Sequence, residues 1–395
     1  MVGSGAKPRH TGKRPMDFDL TEDQRLMVES VGRLLADTYA FEQRKALLKT
    51  DQGWSPTLWQ RYAELGLLGL PIAEEHGGFG GGAVEVMLLM QEFGRYLVLE
   101  PYLATVVLGG GAVRLAGSPD QQGEILPAIA AGTTKLAFAH YERQARYDMT
   151  DVMTIATLAP HGGGFVLEGG KSVVLGGASA DALVVSARTG GSRHEAAGLS
   201  LFLVDANAPG VARRGYRLRD GTEAAEISLS GAKVPGHALL GAKDHALPVI
   251  ERVVQAGIAA TAGEVVGAME AMQAMTLEYL KTRQQFGRPI GDNQALQHRA
   301  AEMLTAMEQG RSMAMLASMM VDEPDAAERA RNIAMAKVGV GQAGRFVSQN
   351  AVQLHGGIGM TEEYAVGHFF RRVMVIEHLF GDTAYHLDRL ADQVA

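Results

Sequence analysis

The sequence predicts an α+β protein of three consecutive domains: all-helical, then β-barrel-like, then a C-terminal four-helix bundle. Three observations carry that prediction. Up to about residue 132, apolar residues recur at helical spacing behind capping residues. From about 133 to 244 they fall in short runs bounded by Gly-rich or polar turns. From about 245 to the end, long helical periodicity returns. Residues 1–15 stand apart as a Gly/Lys/Arg-rich arm or tag without the apolar stretch of a secretory signal, and Met16 is the expected start of the folded part.

In the first domain, Thr21-Glu-Asp-Gln24 fits a capping box ahead of Met27, Val28, Val31, Leu34 and Leu35. Ser55-Pro56 is an N-cap and N1 pair opening a helix through Leu65, and Ser118-Pro119 opens another. Between them, Gly77-Gly-Phe-Gly-Gly-Gly82 precedes an apolar helix from about Ala83 to Tyr96. Glycine runs can cradle phosphate, but no Lys-Ser/Thr follows this one, so a plain loop is expected. The strand candidates are Leu136–Ala139, Gly164–Leu167, Ser172–Leu175, Ala182–Ser186 and Leu199–Val204, with Glu168-Gly-Gly170 taken as a turn. Helices are expected over Glu264–Arg283, Ala295–Val321 and Ala326–Leu354. Gly339, Gly341 and Gly344 lie inside the last, each costing roughly 1 kcal/mol of propensity, which close helix–helix approach in a bundle would offset.

Composition excludes several classes. The chain has 395 residues, 47% hydrophobic and 21% charged, an ordinary balance for folded domains. A net charge of -7 argues against nucleic acid as a partner. No run of eighteen apolar residues exists to span a membrane. With no Cys, there are no disulfides, thiolate nucleophiles or Cys-ligated metals; this does not fix the compartment, for which the cytoplasm is the default expectation. No His-x-x-x-His pair marks a metal site, no G-x-G-x-x-G opens a helix, and no G-x-S-x-G elbow appears. The nineteen Met residues cluster around 269–275 and 303–320, as adaptable filler between helices would.

Two motifs carry the chemistry. Arg283-Gln-Gln-Phe-Gly-Arg-Pro-Ile290 is followed by Gln353-Leu-His-Gly-Gly-Ile-Gly-Met360, each fed by a long helical segment. A guanidinium suits a pyrophosphate through charge-assisted, often bidentate bonds. Paired glycines let backbone N–H groups come close to a ligand. In this order and spacing the motifs resemble the flavin-binding half of an acyl-CoA dehydrogenase. Tyr62-Ala-Glu-Leu-Gly-Leu-Leu-Gly-Leu-Pro71 and Glu74-Glu-His-Gly-Gly78 resemble that family's N-terminal signature. The nearest likeness is to the small subunit of pimeloyl-CoA dehydrogenase and related partner subunits.

The resemblance implies a tetrameric flavoprotein of fatty acid metabolism that oxidises an acyl-CoA with FAD and passes electrons to an electron-transfer flavoprotein. It implies that Arg283, Phe286, Gln353, Gly356 and Gly357 meet FAD carried mainly by a neighbouring subunit, with Gln294 a weaker candidate on the same surface. Two departures stand out. The family's Thr-Glu-Pro-Gly-x-Gly-Ser-Asp-like stretch is Tyr141-Glu-Arg-Gln-Ala-Arg-Tyr-Asp148, and its Trp-Ile-Thr strand is Val173-Val-Leu175. Arg143 and Arg146 could serve a phosphate or an acidic tail, although surface charge is the blander reading.

A third departure concerns the base. Removing an α-proton requires a carboxylate within hydrogen-bond reach. The usual Glu position is Phe380, and the alternative position, on the helix before Arg283, falls near Gly257. Asp382 is the one catalytic candidate, with Glu377 a helical turn before Phe380 as its rival. Three readings follow: the base-poor subunit of a hetero-oligomer with a paralogous chain, a self-sufficient homotetramer using Asp382 or Glu377, or a scaffold without flavin.

Overall fold

The computed structural model describes residues 20–160 and 163–392. The arm expected over residues 1–15 and the start at Met16 lie outside the described residues. Helix α1 (Glu22–Thr38) begins on the expected capping box: Thr21 Oγ1 accepts the Gln24 N–H at 3.2 Å and Gln24 Oε1 accepts the Thr21 N–H at 2.9 Å. Short α2 (Phe41–Leu47) follows, then α3 (Pro56–Glu64) capped by Ser55 and α4 (Ala83–Tyr96). A π-helical stretch (Leu103–Gly109) runs into α5 (Gly110–Ala116), and Ser118 caps α6 (Pro119–Ala130). The glycine run before α4 is a plain loop, because its amides are all used. Those of Gly78, Phe79, Gly80 and Gly81 go to the carbonyls of Ala73, Gly69, Ile72 and Leu70, and that of Gly82 goes to Glu85.

The middle domain contains β1 (Leu136–Ala139), β2 (Ile155–Leu158), β3 (Phe165–Leu175), β4 (Ala182–Arg188), β5 (Leu199–Asp205), β6 (Val211–Arg217), β7 (Glu223–Val234) and β8 (Leu239–Leu240). Their order is β6-β7-β3-β2-β4-β5-β8, with β1 parallel to β4. Phe165 on β3 and Phe202 on β5 are three strands apart in that order, yet their rings lie 5.0 Å apart. The sheet therefore curls round one core. Glu168-Gly-Gly170 is not a turn, contrary to expectation. It lies within β3, where Gly169 and Gly170 pair in register with Leu229 and Ser228 of β7, and register slips fall on either side, at Leu167/Glu168 and Lys171/Val174. The partner strand β7 had no counterpart among the expected strands, because its inward positions are largely Ala.

The C-terminal domain is built on α7 (Leu247–Thr282), which starts well before the periodic stretch at Glu264. Hairpin strands β9 (Gln284–Gln285) and β10 (Arg288–Pro289) lead to α8 (Gln294–Met320), α9 (Ala326–His355), α10 (Ala365–His378) and α11 (Thr383–Ala391). Helices α4 and α7 cross at backbone distance. A Cβ on Gly94 would sit 2.0 Å from the Glu264 carbonyl, and one on Gly267 would sit 1.8 Å from that of Gln91. Glycines of α9 serve the same end: a Cβ on Gly344 would meet Val265 at 2.8 Å. Met269, Met272 and Met303 are fully buried in this bundle, as core filler should be.

A buried charge network joins the three domains. Arg372 on α10 bonds Glu264 of α7 (Nη2–Oε2, 2.8 Å) and Asp220 of the β6–β7 loop (Nη1–Oδ2, 2.7 Å). Arg44 on α2 adds a bond to the Asp220 carbonyl at 2.7 Å and one to the Leu97 carbonyl at 2.8 Å.

Candidate flavin and substrate site

Two surfaces matter: an exposed edge of the C-terminal bundle, and a cavity between that bundle and the β domain. The edge is formed where α7 ends. Arg283 is the C-cap residue, exposed, and its side chain has no bonding partner among the described residues. Phe286 and Gly287 form the hairpin tip, both with positive φ (53° and 81°), as a two-residue type I′ loop requires. Such a backbone is costly for a bulky residue, and the Phe286 ring is fully exposed in the single chain. It is not the core anchor that a Phe at this spacing usually becomes. Gln294, the first residue of α8, is also exposed.

The second motif lies at the end of α9. Gln353, Gly356 and Gly357 are exposed, and a Cβ added at either glycine would meet nothing within 4 Å. The two motifs are tied together by a run of tilted rings in contact. Tyr279 in the last turn of α7 lies 4.6 Å from His355, which lies 5.0 Å from Tyr364 at the start of α10. Sequence reasoning did not find this tie, which exists only once α7 and α9 lie side by side with their C-terminal ends together. Exposed guanidinium, apolar ring and bare glycine backbone on one edge suit an anionic nucleotide tail.

The cavity, of about 520 Å³, lies between the β domain and the end of α10. Leu108, Phe138, Leu379 and Phe380 make it apolar, while Arg143, Arg146, Arg214 and His378 also reach it. Phe380 is buried and held at φ 63°. His386 Nε2–H donates to its carbonyl at 3.0 Å, and burial pushes that imidazole down to about 4, so it stays neutral. Gly257 lies against the ring; a Cβ there would be 2.8 Å from Phe380 Cζ. Neither usual base position therefore offers a proton acceptor. Asp382 is the N-cap of α11, its Oδ1 accepting the Tyr385 N–H at 2.9 Å. Glu377 is buried away from the cavity, accepting the Thr383 N–H at 3.0 Å and facing Arg345 at 3.4 Å.

Glu142, the acidic residue retained in the altered stretch, is also occupied. Its Oε1 meets the fully buried Lys171 ammonium at 2.7 Å, and Lys171 bonds Ser186 Oγ at 3.0 Å. The Thr154 and Met153 amides bond the same carboxylate at 3.0 and 2.8 Å. Burial works to raise the Glu142 carboxyl, but the Lys171 charge and these bonds outweigh it and bring it down to about 2. The stability this pair contributes is complete above the unfolded carboxyl value, about 4.3, and is lost as pH falls toward 2. Thermal melts at about pH 7 and about pH 3 should show a fall in Tm; Glu142→Gln should start lower and fall less. Equal falls in both proteins would assign the acid sensitivity elsewhere.

No group of metal ligands occurs among the described residues. No described helix is long and apolar enough to cross a membrane.

Residues 21–133, 137–231 and 247–395 match the family models described as acyl-CoA dehydrogenase N-terminal, middle and C-terminal domains. Acyl-CoA dehydrogenase FadE27 of Mycobacterium tuberculosis is 30% identical over 390 residues, 96% of this chain and 99% of that protein. Butyryl-CoA dehydrogenase from Megasphaera elsdenii superposes with a TM-score of 0.86 at 26% identity, over 96% of this chain and all (100%) of its own. A chain of the ChsE4–ChsE5 complex from Mycobacterium tuberculosis gives 0.84 at 27%, covering 96% and 99%. The chain belongs to the acyl-CoA dehydrogenase family. It is an acyl-CoA dehydrogenase-type flavoprotein, of a class of oxidoreductases that use FAD to desaturate acyl-CoA thioesters.

Proposed function

We propose that this chain is the base-poor subunit of a hetero-oligomeric acyl-CoA dehydrogenase and that it grips FAD seated mainly in a paralogous neighbour. One observation carries the reading: Phe380 fills the position of the proton acceptor with a buried apolar ring, while the flavin-gripping edge stays open. Arg283 would hold the pyrophosphate by charge, the bare backbone at Gly356 and Gly357 would let it come close although the Gly356 N–H is donated to the Gln353 carbonyl, and Phe286 would cover an apolar part of the cofactor. Gln353 and Gln294 add polar contacts on the same edge. FAD, when bound, supplies the acceptor for the hydride leaving Cβ. On this chain's side, Phe380 and Leu108 exclude water and hold no proton, so the partner supplies the base.

A tetramer, cytoplasmic location and an electron-transfer flavoprotein as acceptor complete the proposal, with the small subunit of pimeloyl-CoA dehydrogenase as the nearest analogy. Support comes from the solved relative whose own name describes a two-subunit complex. Flavin absorbance of the chain purified alone and with its paralogue tests it. We expect less than one FAD per chain alone and turnover only with the partner. Stoichiometric FAD with full turnover by the isolated chain, abolished by Asp382→Asn, would instead establish the self-sufficient enzyme.

A further inference from the structure

A separate cleft, of about 440 Å³, opens between the helical domain and α7. None of the flavin-edge residues lines it. It shares two walls with the Phe380 cavity. On α7, Ala256 lines the cleft while Gly257 lies against Phe380; on the π-helical stretch, Val107 lines the cleft while Leu108 lines the cavity. Its interior is apolar, built from Val86 of α4, Leu126 of α6, Val253 and Ala260 of α7, and Val321 after α8. Two guanidiniums reach it, Arg114 from α5 and Arg252 from α7. Arg252 Nη2 lies 3.6 Å from Oδ1 of the exposed Asp322, a loose pair. Arg114 is exposed and its side chain has no hydrogen-bond or ion-pair partner among the described residues. The surrounding walls hold its guanidinium below the ordinary range and the Arg252 charge adds to that, with Asp322 opposing. At the rim, Glu75 and His76 face each other at 3.6 Å. Two cations thus share one carboxylate, and one more anion would balance them.

A run of glycines points into the same space. A Cβ on Gly109 would lie 2.5 Å from Leu136 Cβ, and one on Gly110 would lie 3.0 Å from the Thr105 carbonyl oxygen, so packing explains both. Gly111, inside α5, lines the cleft, and a Cβ there would meet nothing within 4 Å. A glycine within a helix forgoes stability, and no contact of this chain accounts for that loss.

We propose that this cleft binds a free aliphatic monocarboxylate, its carboxylate between Arg114 and Arg252 and its chain along Gly111, Val253 and Ala260. Guanidiniums form charge-assisted bonds to carboxylate, and an alkyl chain buries apolar area against these walls. The volume is that of a small-molecule site. A CoA thioester carries no carboxylate at its acyl end, so the cleft separates the free acid from its ester. Thioester hydrolysis is therefore the class of reaction that supplies the ligand. An occupant bears on Gly257 and Leu108 from behind, through α7 and a π-helical stretch, a form that recurs at functional sites.

Octanoate, kept below its micelle concentration and titrated calorimetrically into the full chain, tests the inference. We expect about one equivalent per chain. Butanoate, shorter by four methylenes, should bind at least about tenfold more weakly. Octylamine should not bind, and octanoyl-CoA should not displace octanoate. Arg114→Gln, which strands no partner, should weaken octanoate about tenfold or more. Gly111→Leu places a side chain in the cleft and should abolish binding, with a melting temperature equal to or above that of the parent. Octanoate bound by both variants as tightly as by the parent overturns the inference. Displacement by octanoyl-CoA overturns it equally and moves the ligand to the Phe380 cavity. Octylamine bound as well as octanoate does the same, by showing that the guanidiniums take no part. None of these readouts involves flavin, so the subunit reading stands or falls separately, on the flavin count.

Discussion

Arg372→Ala is expected to destabilise the chain by about 3–5 kcal/mol, because it strands two buried carboxylates. Arg372 is buried, as are Glu264 and Asp220 on either side of it. Burial alone opposes the guanidinium charge, but Glu264 and Asp220 outweigh that and hold it above its ordinary range. Removing the cation leaves Glu264 on α7 and Asp220 on the β6–β7 loop facing each other unpaired. Because the three residues come from separate elements, the loss should loosen the contact between the β domain and the bundle. Urea unfolding monitored by circular dichroism would show a lower midpoint. A second variant, Arg372→Met with Glu264→Gln, should recover part of the loss, since replacing both partners avoids the stranded charge. An unchanged midpoint in Arg372→Ala would show that the network contributes little.

Arg283→Ala should leave folding untouched and weaken flavin retention by the assembled oligomer about 10- to 100-fold. The side chain is exposed and bonds nothing among the described residues, so its loss strands no group within the chain. Its expected partner is a pyrophosphate, which a guanidinium meets in a fork. Arg283→Lys should therefore recover only a small part, because a point charge lacks that fork. Flavin fluorescence released on dilution would measure both. Full retention in Arg283→Ala would remove this residue from the grip; a fall in melting temperature of the isolated chain would mean that its role is structural.

Much of the fold was legible because its signals are local. Thr21, Ser55 and Ser118 cap the helices they were expected to cap, and α4 begins and ends where its apolar period does. Strands were harder. β6, Val-Ala-Arg-Arg-Gly-Tyr-Arg, has too few apolar positions to stand out, since one sheet edge leaves it largely exposed. The two glycines in β3 look like a turn until β7 is present to pair with them. At the candidate site, Arg283, Phe286 and the glycine pair could be named only from two motifs taken together and the family resemblance they carry. The Tyr279–His355–Tyr364 contact and the meeting of Arg143 and Arg146 with Arg214 could not be read at all, because each joins segments far apart in sequence through tertiary packing.

The fit of Phe380 against Gly257 makes the two positions interdependent in descent. An acidic side chain grafted onto α7 at 257 would collide with the aromatic ring, whereas one installed at 380 would share its chamber with the Arg143, Arg146 and Arg214 side chains. A carboxylate at 257 thus requires a smaller side chain at 380 as well, and the order in which the two changes arrive decides whether the intermediate can pack.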